Sequence, residues 1–346
     1  MVIHGGDIYR NNVVMDFSVN VNPLGMPEAV RETLADAVSA CMRYPDPEAE
    51  ELKAAVSSML SVRKECLLFG NGASELFLAV IHALKPKCTV IPVPSFYGYE
   101  HAAAACQGEV IYYPLKREKD FVPDEEILSV LDAGTDLLFL ANPNNPTGNL
   151  IPLKILEKIV RHCRENEIYV VLDECFIEFC PRNESFLSRT EEYDNVLLVR
   201  AFTKSFAIPG VRLGYLIGSN QNLLLQIGSH LPEWNLSVFA QMAGIACTKE
   251  KAFLDRTVHY VEQEGAFLAA GLEDAGLEVF PGEANFILAY TKLPLYEMLL
   301  ERGILIRDCS NFRGLSKGYY RIAVKSREEN IRLLNLIRQS GKEVFL

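Results

Sequence analysis

The chain has 346 residues, 49% hydrophobic and 23% charged, and its 34 basic and 45 acidic side chains leave a formal charge of −11. That composition excludes disordered, collagen-like and disulfide-stapled chains, and the acidic balance argues against nucleic acid as a general partner. No apolar run approaches the roughly eighteen residues of a membrane span. The opening residues lack the apolar core of a signal peptide, and the nine cysteines form no CxxC pair. A reduced, cytoplasmic chain without a membrane or nucleic-acid partner is therefore expected. The six histidines show no HxxxH or HxH spacing, so no metal is expected.

Residues 1–40 carry Pro and Gly signals such as Asn22-Pro23 and Leu24-Gly25 and read as an N-terminal arm. From there to about residue 220, short β-rich runs alternate with amphipathic stretches. Strands are predicted at Cys66–Phe69, Thr89–Val93, Val110–Tyr113, Leu137–Ala141, Tyr169–Leu172 and Val196–Arg200, and helices at Ser74–Leu84 and Leu153–Asn166. Continuously apolar strands alternating with helices predict a mainly parallel sheet covered by helices on both faces. Past residue 220 the pattern changes. Long helical patterns over Ser237–Thr248 and Phe253–Ala275 precede short strands near Leu277–Phe280, Asn285–Ala289, Ile304–Arg307 and Tyr319–Val324. An amphipathic helix over Arg327–Gln339 follows. The expected organisation is α/β: an arm (1–40), a large domain (41–220) and a smaller α+β C-terminal domain (221–346).

Four predicted strands run directly into polar clusters: Gly70–Glu75, Asn142–Gly148, Asp173-Glu174 and Ala201–Lys204. Ligands of α/β sheets bind beyond the carboxyl ends of the strands, so four such clusters predict one shared pocket. Each has a plain structural alternative. Gly70–Glu75 could be an ordinary strand–helix turn, or a helix N-terminus that holds a phosphate. Asn142–Gly148 could be a rigid Pro/Gly loop, yet the amides Asn144 and Asn145 exceed what a turn requires. Asp173 could be a buried ion-pair partner, and Cys175 beside it reads as packing. Lys204 could be exposed like most lysines, or a desolvated amine nucleophile. Arg212 and Thr203 could be ordinary exposed polar side chains or a phosphate grip. His4 would ordinarily be dismissed as an N-terminal residue. Together they form the inventory for pyridoxal phosphate: a lysine for its aldehyde, a carboxylate for its ring nitrogen, and N–H groups with an arginine for its phosphate.

These motifs, Asn142-Pro143-Asn144-Asn145-Pro146-Thr147-Gly148, Asp173-Glu174 and Lys204 through Arg212, resemble the fold-type-I pyridoxal-phosphate enzymes, in the group of the histidinol-phosphate aminotransferases. Within it the chain resembles the branch that decarboxylates O-phospho-L-threonine for cobalamin biosynthesis. That resemblance rests on His4-Gly5-Gly6, Asp16 to Gly25, Arg43-Tyr44-Pro45-Asp46, Ile208-Pro209-Gly210, Pro281 to Asn285, Ile304 to Cys309, Tyr319-Tyr320-Arg321, and Phe176 where the group's aminotransferases usually carry Tyr. The resemblance implies that Lys204 holds the cofactor aldehyde, Asp173 its ring nitrogen and Asn145 its O3′. It implies that Phe96 stacks on the ring, and that Gly72, Ala73, Ser74, Thr203 and Arg212 bind its phosphate. Tyr44 would reach the phosphate of a neighbouring subunit in a homodimer. Arg321 would pair with the substrate carboxylate, and His4, Gly5, Asn20 and Arg307 would surround a substrate phosphate. The expected activity is decarboxylation of O-phospho-L-threonine to 1-amino-2-propanol O-2-phosphate. A histidinol-phosphate aminotransferase and a non-catalytic phosphate-binding α/β protein remain as alternatives.

Overall fold

The apolar runs of the first two thirds form neighbouring strands of one sheet in the computed structural model, which describes residues 5–181 and 184–344. The strands are β1 (Leu67–Gly70), β2 (Cys88–Val93), β3 (Glu109–Pro114), β4 (Leu137–Ala141), β5 (Tyr169–Asp173), β6 (Val196–Ala201) and β7 (Gly214–Ile217), in the order β1-β7-β6-β5-β4-β2-β3. β7 runs antiparallel to both its neighbours. The other six strands therefore share one direction, and their carboxyl ends share one edge.

The helices are α1 (Glu28–Ala40), α2 (Glu50–Leu60), α3 (Ala73–Leu84), α4 (Tyr97–Ala103), α5 (Leu153–Glu165), the single turn α6 (Phe202–Ser205), α7 (Gln221–Gly228), α8 (Val238–Cys247), α9 (Lys251–Asp274), α10 (Leu295–Leu300) and α11 (Arg327–Val344). β4 explains why the sheet needs cover on both sides. Leu138 and Leu140 join Leu156, Ile159 and Val160 of α5 in one core. Leu137, Phe139 and Ala141 join Leu76, Phe77 and Val80 of α3 in another. With side chains alternating across a strand, a run apolar at every position buries both faces. Each fully buried Leu or Phe contributes about 1.5–3 kcal/mol.

A second, antiparallel sheet contains β8 (Glu278–Phe280), β9 (Phe286–Tyr290), β10 (Arg307–Asp308) and β11 (Tyr319–Ala323), in the order β10-β11-β9-β8. Ile287 and Ile322 pack against Leu268 and Leu272 of α9, Leu295 and Leu299 of α10, and Leu333 and Ile337 of α11. Phe280, Leu288 and Tyr319 meet Phe121, which follows β3. α9 links the cores: Phe253 lies in the first, Val261 in the second and Leu268 in the third.

Residues 1–40, read as one arm, fall in two parts among the described residues. Met15 and Phe17 join the core of the small sheet, whereas α1 packs on α8. β7 was not expected, because Gly214-Tyr215-Leu216-Ile217 is a four-residue apolar run just after a Pro-Gly turn. The strand read over Ile304–Arg307 is two pieces. Ile304–Leu305 pairs in parallel with Met15–Asp16, and Arg307–Asp308 pairs with β11. Ile306 between them is buried in the small core. No helix among the described residues is long and apolar enough to cross a membrane.

Candidate active site

The carboxyl ends of the parallel strands open into a cavity of about 900 Å³. Asn145, Asp173, Thr203, Lys204, Ala73, Ser74, Phe96 and Arg212 line it, as do Arg307, Arg321, Gly5 and Asn20. The four polar clusters thus meet as the strand-end argument requires. His4 lies outside the described residues.

Lys204 sits in α6, immediately after β6. Its carbonyl accepts from the Asn22 N–H at 3.0 Å, which ties the lysine turn to the N-terminal segment. Asn22 also donates through Nδ2 to the Ser205 carbonyl (2.7 Å) and Thr257 Oγ1 (2.8 Å). Desolvation, reinforced by the positive charges of Arg321 and Arg212, holds the Lys204 ammonium down to about 8. The neutral amine that a nucleophile needs is therefore reached well below the pH at which an ordinary lysine releases its proton.

Asp173 is the last residue of β5 rather than the first residue after it, held between Ala141 of β4 and Val199 of β6. Oδ2 accepts from the Tyr99 hydroxyl at 2.6 Å and Oδ1 from the Cys175 N–H at 2.9 Å. Burial raises its pKa, while these donors from Cys175 and Tyr99 oppose the rise. It has no cationic partner among the described residues.

The turn from β1 to α3 requires glycine. Gly72 has φ +78°, and a Cβ there would come within 2.4 Å of Arg212 Nη2. A Cβ on Gly214 of β7 would meet the Ala73 nitrogen at 2.6 Å, so a second glycine lets β7 pass beside the N-terminus of α3. Arg212 itself adopts φ 60°, a conformation costing a non-glycine residue on the order of 1–3 kcal/mol. Free N–H groups at a helix start, facing a guanidinium, form an anion seat.

On the other wall, Arg321 and Arg307 lie opposite each other on β11 and β10. Arg321 donates to Asn145 Oδ1 at 2.5 Å and to the Ser18 carbonyl at 2.7 Å. With its amide oxygen turned toward Arg321, Asn20 accepts from Nε at 3.1 Å. Burial lowers Arg321 to about 10, so it stays charged at neutral pH. Arg307 donates to Asn311 Oδ1 at 2.7 Å and lies over the Phe312 ring, 4.9 Å from its centroid. Neither arginine has a carboxylate partner among the described residues. Because its Oδ1 is occupied, Asn145 leaves its Nδ2 for a bound group. Phe176 puts an apolar edge here and packs T-shaped on Phe286 at 5.1 Å. Tyr44 is 80% exposed and stacks near Trp234 at 4.9 Å, away from this cavity.

Sequence reasoning missed Asn22 as the anchor of the lysine turn and Tyr99 as a donor to Asp173. Tyr99 had a usable signal, lying three residues after Phe96 in a short helical pattern. It also missed the outer wall, where Arg313 pairs with Glu100 at 2.8 Å and lies 3.9 Å from the centre of the Tyr112 ring.

A buried carboxylate without a cation among the described residues, a lysine shifted toward its neutral form and a glycine–arginine anion seat fit a phosphorylated pyridine aldehyde. The chain belongs to the class I and II aminotransferase family, whose model matches residues 12–337. Its cofactor is pyridoxal 5′-phosphate, and its fold is that of the fold-type-I enzymes. It is 35% identical to the threonine-phosphate decarboxylase of Salmonella typhimurium, over 97% of this chain and 95% of that one. It is 34% identical to the adenosylcobalamin biosynthesis bifunctional protein CobDQ of Leptospira interrogans, over 93% of this chain and 38% of that one. The crystal structure of the histidinol-phosphate aminotransferase from Clostridium acetobutylicum superposes with a TM-score of 0.90 at 30% identity, covering 95% of this chain and all of that one.

Proposed function

We propose that the chain decarboxylates O-phospho-L-threonine to 1-amino-2-propanol O-2-phosphate in cobalamin biosynthesis. The observation that supports this reading best is the pair of facing arginines, Arg307 and Arg321, buried in the cavity without a carboxylate partner among the described residues. Two unpaired buried cations ask for two anions, and a phosphorylated amino acid supplies a carboxylate and a phosphate on one small molecule. The relatives named above for threonine phosphate and adenosylcobalamin support the same reading.

In this reading Lys204 holds the cofactor aldehyde and Asp173 faces its ring nitrogen. Asn145 Nδ2 donates to O3′, Phe96 stacks on the ring, and Gly72, Ala73, Ser74, Thr203 and Arg212 hold the phosphate. Pyridoxal phosphate, when bound, supplies an electron-accepting ring for the bond broken at the substrate Cα. Arg321 grips the substrate carboxylate in a two-pronged contact, and Arg307, with His4, Gly5 and Asn20, grips the phosphate. The bond between Cα and the carboxylate breaks, CO2 leaves, and the Lys204 ammonium delivers one proton to Cα. Phe176 offers no hydroxyl to the cofactor.

A homodimer fits the exposed Tyr44, Met42 and Trp234, which are 80%, 93% and 44% exposed. In this reading Tyr44 crosses to the neighbour's cofactor phosphate. Mixing a Tyr44→Ala chain with a Lys204→Ala chain is then expected to restore no more than the activity of sites that pair an intact Lys204 with an intact partner Tyr44. Cysteines other than Cys180 form no disulfide among the described residues, which fits a reducing cytoplasm.

A second reading, amine transfer to or from histidinol phosphate, is favoured by the superposition on an aminotransferase. A substrate panel separates the two. Holoenzyme is incubated with O-phospho-L-threonine, O-phospho-L-serine or histidinol phosphate plus 2-oxoglutarate, and CO2 and amine products are measured. The proposal expects CO2 from phosphothreonine and a lower kcat/KM for phosphoserine, because one methyl is worth about 1–3 kcal/mol. Glutamate formed from histidinol phosphate, with no CO2 from phosphothreonine, would overturn it.

A further inference from the structure

Tyr99 combines deep burial with a single polar contact. Its ring lies nearly parallel to Phe139 at 5.0 Å, with an interplanar angle of 16°. Phe77 and Phe96 meet it edge-on at 5.3 and 5.7 Å. The residue is 1% exposed, and its hydroxyl reaches Asp173 Oδ2 at 2.6 Å. Burial and the Asp173 charge push the phenol well above its ordinary value, so it remains a proton donor. The three aromatic neighbours pack the ring on one face and two edges, and the hydroxyl is already aimed at Asp173 without a ligand.

A ring nitrogen facing a carboxylate in a dry pocket shares one proton with it, in one of two arrangements. Either the nitrogen carries the proton and both groups are charged, or the carboxylate carries it and both are neutral. Burial favours the neutral pair. Hydrogen bonds donated to the carboxylate favour its ionised form and hence the charged pair. Asp173 receives two such bonds, one from the backbone at Cys175 and one from Tyr99.

We propose that Tyr99 is a positioning residue that keeps the shared proton on the ring nitrogen of the bound cofactor by donating to Asp173. The proposal rests on the reading that Asp173 meets that nitrogen. A protonated ring is the stronger electron acceptor, so Tyr99 serves the reaction without touching substrate. A purely structural tyrosine would fill the same space and stiffen the same core without affecting the proton.

The test loads the enzyme with pyridoxal phosphate carrying nitrogen-15 in the ring and records the nitrogen resonance in wild type, Tyr99→Phe, Phe139→Leu and Asp173→Asn. Free cofactor titrated through its own ring ionisation supplies the reference positions. Wild type is expected at the protonated position. Tyr99→Phe, which keeps the ring packing, is expected to move toward the unprotonated position, with kcat falling roughly 10- to 100-fold. Phe139→Leu, which loosens the stack but keeps the hydroxyl, is expected to lower the melting temperature and leave the resonance in place. A Tyr99→Phe resonance unmoved while Asp173→Asn shifts it would overturn the role of Tyr99 and spare that of Asp173. Wild type and Asp173→Asn resonating together would overturn the Asp173 reading, and the Tyr99 proposal with it. Equal shifts in Tyr99→Phe and Phe139→Leu would assign the effect to packing and reject the proposal.

Discussion

The two ends of the cavity are built in different ways. The end at Asp173, Asn145, Lys204 and Ala73 comes from the tips of β5, β4, β6 and β1, all in one sheet whose register fixes their spacing. The end at Arg307 and Arg321 is assembled from β10, β11 and the N-terminal segment. There Arg321 bonds Asn145 and Ser18, residues 176 and 303 positions away in the chain. Their charges also differ. The sheet end presents one buried carboxylate beside a lysine whose ammonium is held down to about 8 and Arg212 at the helix start, the other end two buried arginines. A platform made of strand tips suits a group common to many reactions, whereas a wall assembled from distant segments can change its substrate without disturbing that platform.

Substitutions at the two ends should therefore fail differently. In the proposed reading Lys204→Ala removes the amine that would both hold the cofactor and move the proton, and kcat is expected to fall by about 10²–10⁴-fold or more. Retained turnover would break the assignment. Arg321→Lys cannot reproduce a fork that reaches Asn145 and Ser18 and, in the proposed reading, the substrate carboxylate. A loss of about 2–5 kcal/mol in kcat/KM is expected, with cofactor absorbance intact. Loss of cofactor instead would show that the two ends are not separable. Arg307→Ala should raise KM for O-phospho-L-threonine while scarcely changing whatever turnover unphosphorylated threonine gives, and equal effects on both would remove Arg307 from phosphate recognition.

A pH series probes the platform alone. The neutral amine is the form that captures an aldehyde, and at Lys204 it grows in as pH rises through about 8 rather than 10.5. Cofactor capture by the apo chain should rise and level off accordingly. A midpoint near the ordinary lysine value would mean that the amine sits in water. The smallest effect is expected of Phe176→Tyr. The new hydroxyl should increase, by a few-fold, the share of turnovers that leave the cofactor in its amine form, and an unchanged share would make Phe176 a packing residue only.

The sheet end was legible because its chemistry follows apolar strands directly. Leu137–Ala141 and Val196–Ala201 announce themselves by composition, and the polar residues after them can only lie at the sheet edge. The arginine end was legible only through family resemblance. Nothing local in Tyr319–Ala323 marks Arg321 as cavity-lining, since its partners arrive from the far end of the chain. Asn22 and Tyr99 were hidden for a related reason. A turn asparagine and an aromatic in a seven-residue helix have ordinary local explanations, and only tertiary packing brings them to Lys204 and Asp173. The strand read over Ile304–Arg307 failed where two short segments pair with different partners, which no single-strand pattern encodes.

The most direct test of the account is to mix holoenzyme with O-phospho-L-threonine and count CO2 released against cofactor converted to its amine form. The account predicts many CO2 molecules per site, with the absorbance of the aldehyde-bearing enzyme restored when substrate is exhausted. Stoichiometric conversion of the cofactor to its amine form without CO2 would contradict it and make the chain an aminotransferase.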